Sequence, residues 1–151
     1  SDVCSSDLEI QGRMIVQTIT TSFKQDILQG VQDLLTDTIK MALYTANANL
    51  DENTAAYSAV NEVTDPNYSA GGNTCQNVVI KSDSATGIVY VTFDNVSWSN
   101  VSFTCRGALI YNASKSNKSV AILNFGSDKT AGPNFLVTLP ADTPTSALIR
   151  V

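Results

Sequence analysis

The chain has 151 residues, with 43% hydrophobic and 15% charged side chains, a net charge of −5 and no histidine. Such a composition is that of a globular protein somewhat poor in charge, and one domain of this size buries a real core. The acidic balance and the lack of any basic run exclude the electrostatic footprint of a nucleic-acid binder and disfavour an anionic membrane surface.

The first residues, SDVCSSDL, carry no periodicity, and the first methionine is Met14. That string matches the conceptual translation of a widely used short-read sequencing adapter. Residues 1–13 therefore read as a non-native extension, to be set aside in fold reasoning together with Cys4. Residues 14–151 read as a single domain. No stretch approaches a membrane span, and no basic start followed by an apolar run marks a signal peptide.

Residues 21–35 carry the one clear helical period. Phe23, Ile27, Leu28, Val31, Leu34 and Leu35 form an apolar stripe, so a helix is expected over about 22–35. Ser22 with Gln25 fits a capping box, and Gly30 leaves the helix short or broken at that point. The period then changes to two. Ile39, Met41 and Leu43 alternate with Lys40, Ala42 and Tyr44, as in a strand. Residues 46–76 form a long polar connection with turn signals at Asp65-Pro66 and Gly71-Gly72, and a short strand is expected between Tyr57 and Val63. A loop of that length has a task or internal structure.

The second half is strand after strand: residues 78–82, 88–93, 96–103, 107–111, 119–125, 135–139 and 147–151. GALIY and SVAILNF, joined by the polar NASKSNK, read as a hairpin. Short strands at regular spacing predict a mainly β chain: an antiparallel β-sandwich, jelly-roll or Ig-like, with one N-terminal helix.

The chemistry is read by elimination. Without histidine there is no serine-type triad and few zinc sites remain. Gly71-Gly72 lacks the Lys-Ser/Thr of a phosphate loop. Asp51, Glu52, Glu62, Asp65 and Asp94 are the acid–base candidates, and they read as solvated loop charges. The calcium-loop pattern is missing among them. Cys75 and Cys105 read as two reduced, half-buried thiols of a protein made in a cytoplasm, a bridge between them being the alternative. The sequons at Asn67, Asn95, Asn100, Asn112 and Asn117 read as chance matches in turns, and Trp98 as a core residue. No residue is expected to be catalytic, to bind a cofactor or to ligate a metal, and the chain is read as no enzyme.

One resemblance adds to this. TSFKQDILQGVQDL, DTIKMALYT, YSAGGNT, VTFDNVSWSN, RGALIYN, AILNFGSDKT and ALIRV follow one another in order. The series resembles a family of small virion structural proteins of tailed bacteriophages from aquatic bacteria. It covers the chain from about Ser22 to Val151 and contains no catalytic motif. The resemblance implies a non-enzymatic virion component, whether capsid decoration, head fibre, head–tail or tail. It would assemble in the host cytoplasm with itself and with capsid, portal or tail proteins, binding neither nucleic acid nor membrane. The alternative is a receptor- or glycan-binding module of a phage fibre, for which Tyr57, Tyr68 and Trp98 are the aromatic candidates.

Overall fold

The computed structural model describes residues 14–151; the expected non-native extension lies outside the described residues. The chain is mainly β, with antiparallel sheets and one helix in a β-sandwich arrangement. Its strands are β1 (Thr18–Ile19), β2 (Ile39–Tyr44), β3 (Asn73–Thr74), β4 (Val79–Asp83), β5 (Ile88–Thr92), β6 (Val96–Trp98), β7 (Phe103–Asn112), β8 (Lys118–Ala131), β9 (Phe135–Val137) and β10 (Ile149–Arg150), and the helix is α1 (Thr21–Leu28). Five strands form the main sheet in the order β1-β8-β7-β2-β3; β10-β5-β4 form a second sheet, and β6-β9 a ribbon.

The hairpin expected from GALIY and SVAILNF is the centre of the main sheet. Leu109 stands opposite Ile122 and Ala108 opposite Leu123 on one side, while Met41 stands opposite Ile110 on the other. Near-continuous apolar runs are what a strand covered on both faces requires. Both faces are indeed covered. Met41, Leu43, Ala108 and Ile110 enter the larger core, where Phe93, Val96, Trp98 and Ile149 close over them. Ala42, Leu109 and Ile122 enter a second core closed by Ile15, Ala48 and Leu50.

Helix α1 is shorter than its apolar stripe predicts. Thr20, not Ser22, is the N-cap, its hydroxyl accepting from the Phe23 N–H. The helix ends because Gly30 adopts φ +71°. Gly30 N–H donates to Ile27 O and Val31 N–H to Asp26 O, the paired bonds of a Schellman motif. Phe23 is buried, but Leu28 is 88% exposed and Leu34 reaches the core from a turn beyond the helix. The periodicity was therefore that of two segments folded onto one sheet.

Two further expectations change. Residues 96–103 are not one strand: β6 ends at Trp98, Asn100 takes φ +56°, and Val101 N–H turns away to Pro133 O before β7 starts. Residues 57–63 form no strand; Ala56 and Glu62 make only isolated bridges, to Lys118 and Tyr44. Of the remaining expected strands, 107–111 and 119–125 lengthen into β7 and β8, 78–82 shifts by one residue into β4, and the others are present with trimmed ends.

Gly72 tests the closeness of the connection to β2. It has φ +77°, and a Cβ there would lie 1.7 Å from Met41 O, against backbone that cannot yield. Gly87 shares the left-handed conformation but faces open space. Gly72→Ala is expected to cost about 3 kcal/mol or more, and Gly87→Ala about 1 kcal/mol, in urea unfolding. Equal losses would show that conformation alone governs both sites.

Candidate functional site

The five acid–base candidates are dispersed. Asp51 accepts from Asn53 N–H within its own turn, and Asp65 pins Asn67 N–H and Ser102 N–H. Asp94 accepts from Asn77 Nδ2 at 2.6 Å, and Glu52 is exposed. Among the described residues no group of three or more Cys, Asp or Glu side chains gathers as a metal site would need.

Glu62 corrects the reading as a solvated charge, for it is only 8% exposed. Its Oε1 accepts from Tyr57 Oη at 2.7 Å, and its Oε2 accepts from Tyr68 Oη at 2.6 Å and Gly71 N–H at 2.8 Å. A buried carboxylate is tolerated when charge-assisted hydrogen bonds replace its water. Tyr68 also accepts the Leu43 N–H from the outer edge of β2, and Tyr111 donates to Gly71 O while stacking on Tyr57 at 4.8 Å. Burial first, and Glu62 second, push the hydroxyls of Tyr44, Tyr57, Tyr68 and Tyr111 above the ordinary phenol value, that of Tyr111 to about 12. Every donor here is already committed to holding the polar connection on the sheet.

A second network does the same at the C-terminal end of β7, beside Tyr111. Asn112 Nδ2 reaches Gln32 Oε1 and Asp37 Oδ2, and Gln32 Nε2 donates to Asp26 Oδ2 and Ser119 O. Of the sequons, Asn112 is thus fully buried, Asn100 and Asn117 occupy left-handed turns, and Asn67 and Asn95 bond Asn100 O and Leu139 N–H. Cys75 and Cys105 are free and fully buried, not half-buried, and burial pushes both thiols up to about 12.

Of the aromatic candidates, Tyr68 and Trp98 are buried, and Tyr57 is half-buried against Tyr111. They do not form an exposed stacking platform. A cleft of about 420 Å³ lies between the second sheet and residues 139–148. Its polar groups are paired with one another, Lys81 with Asp142 and Asn77 with Asp94.

What remains uncovered is the margin of the second sheet. Ile80, Val91 and Ile149 form one row across β4, β5 and β10. Val91 and Ile149 are buried in the larger core, yet Ile80 is 42% exposed. The next row on the same face, Ser82, Val89 and Val151, is exposed throughout. The core-facing side of this sheet therefore runs past the core it covers. The sequence reading placed these strands but gave no reason to single out their margin, since exposure depends on where the core stops.

No family model, no curated protein and no solved structure matches the chain.

Removing Glu62 would leave two tyrosine hydroxyls and one buried N–H without an acceptor. Glu62→Ala is expected to cost about 3 kcal/mol in urea unfolding, with Glu62→Gln costing less because one oxygen is kept. The tyrosines also set an alkaline limit. Below pH 10 both states are protonated and their contribution is complete. As pH rises from about 10 to about 12 the unfolded chain releases protons that the folded chain keeps, so stability falls. Tyrosinate absorbance from Tyr44, Tyr57, Tyr68 and Tyr111 should accordingly emerge together with unfolding.

Proposed function

We propose that the chain is a non-enzymatic structural protein of a tailed-bacteriophage virion, acting by protein–protein assembly. Capsid decoration, head fibre, head–tail and tail are the roles open to it, with itself and capsid, portal or tail proteins as partners and assembly in the host cytoplasm. The observation that carries the reading is the uncovered patch of Ile80, Val89 and Val151, spread over two adjacent rows beside the strand edge of β4. Apolar area continuous with a core, left open next to an unpaired edge, is the surface that a neighbouring subunit covers. The ordered series of segments that resembles small virion proteins supports the same assignment. So do the polar networks, whose donors and acceptors are spent on the fold and not on a substrate.

The fibre-module alternative is favoured less. Two of its three aromatic candidates are buried, and the cleft beside Lys81 presents charges that already neutralise each other. A glycan array on the full chain would register it directly.

Light scattering and negative-stain microscopy of the full chain, alone and mixed with emptied phage heads and with tails, test the main reading. Rings, discrete oligomers or decorated particles are expected. A strict monomer with no affinity for any particle would remove the assignment.

A further inference from the structure

Strand β5 lies between β10 and β4, and its hydrogen bonds fix which way β4 faces. Val89 N–H donates to Val151 O at 2.9 Å, and Val151 N–H donates back to Val89 O at 2.8 Å. In an antiparallel ladder both backbone groups of a residue point to one side, and the side alternates along the strand. Val89 and Val91 thus serve β10, while Ile88, Tyr90 and Thr92 serve β4, where they meet Asp83, Lys81 and Val79. Ile80 and Ser82 consequently direct their N–H and C=O groups away from β5. Neither has a backbone partner outside its own sheet among the described residues, and β4 is exposed from Val79 to Ser82.

An antiparallel strand added to this edge has to pair even-numbered residues with even-numbered residues. For a second copy related by a two-fold axis, three registers centre on the strand. An axis at Lys81 sets two lysines directly opposite each other, which is destabilising. An axis at Ile80 sets Lys81 opposite Val79 and pairs no opposite charges. An axis at Ser82 pairs Ser82 with its copy and sets Lys81 opposite Asp83 twice, once on each side. The sequence Lys81-Ser82-Asp83 is thus complementary to its own antiparallel copy in charge as well as in backbone parity.

From this match we infer that β4 is a self-docking edge, which a second copy of the chain completes by antiparallel pairing about Ser82 to join two three-stranded sheets into one of six. The inference rests on the assembly reading above and names the first partner as the chain itself. Lys81 then selects a register. Within one chain Lys81 is paired with Asp142; across the junction it also has Asp83 of the copy opposite it, so it does not oppose this register as it would a strand that brings no acid. The pairing also carries the exposed Ile80 of each copy to the junction.

Sedimentation equilibrium of the full chain carrying Cys4→Ser should show a dimer. In that background Ser82→Cys should give a disulfide-linked dimer under mild oxidation, because residues facing each other in a hydrogen-bonded pair lie about 5.5 Å apart at Cα, within disulfide reach. Ser82→Pro removes one outward N–H and no bond to β5, so it should abolish the dimer while the circular dichroism and unfolding midpoint stay unchanged. Lys81→Asp should weaken the dimer about tenfold, and Lys81→Asp with Asp83→Lys should restore it. A dimer that survives Ser82→Pro, or one in which Ser82→Cys never cross-links, overturns the inference and leaves assembly through another surface standing. A chain monomeric at every concentration also overturns it, and binding to phage particles then decides the assembly reading separately. Loss of particle binding, but not of any dimer, in Ser82→Pro would assign the edge to a different protein.

Discussion

Covering both faces of one short sheet is the constraint from which the rest of this structure follows. Strands β2, β7 and the first half of β8 have almost no exposed surface, and Met41, Ala42, Leu109, Ile110 and Ile122 are wholly inaccessible. One face is closed by the second sheet and the β6-β9 ribbon, which are apolar enough to pack without special devices. The other is closed largely by the polar connection, which offers little more than Ala48, Leu50 and the flank of Tyr57. So thin an apolar layer gains little from burial alone. Hydrogen bonds to charged groups supply what is missing, and Glu62 concentrates three of them where the connection crosses β2.

The same constraint explains where polar groups sit. Covering the sheet also covers its edges, whose backbone groups must then find partners. On the β2 edge, Leu43 N–H is satisfied by Tyr68 Oη, Leu43 O by Val63 N–H, and Ile39 O by Cys75 N–H. On the β8 edge, Val120 O accepts from Thr20 N–H and Ser119 N–H donates to Ala55 O. Side chains and stray loop residues thus substitute for further strands. The buried network of Asp26, Gln32 and Asn112 finishes the job around the turn joining β7 and β8.

How much of this the sequence revealed depends on whether the cause was local. The hairpin of GALIY and SVAILNF was legible because its apolar runs and polar turn lie within one short stretch. Gly30 was legible as a break for the same reason, although the apolar stripe running on to Leu35 argued for a longer helix. The break after Trp98 was not, because Val101 is drawn off by Pro133, more than thirty residues away. Glu62 read as a surface charge since nothing near it in sequence announces burial. Tyr57 and Tyr68 flank it on either side, yet their convergence on one carboxylate depends on a loop closing over β2. The candidate interaction margin was hidden for a related reason: Ile80 and Val89 look like ordinary strand residues until the extent of the core beneath them is known.

Set against the well-sealed main sheet, the second sheet is anomalous. The chain spends a tyrosine, a buried carboxylate and several loop backbone groups to close the edges of β2 and β8, and among the described residues it supplies no comparable cover for Ile80 and Ser82 on β4. If exposure of backbone were simply tolerable at the periphery, the usual safeguards would be expected there: a proline, a bulge or an unanswered charge. Strand β4 has none of the first two, and its lysine is followed two residues later by an aspartate on the same face. A safeguard that carries its own complement ceases to protect against one partner in particular, the copy that presents the same pair in reverse. Under the pairing proposed above, such an edge favours one register of itself over strands in general.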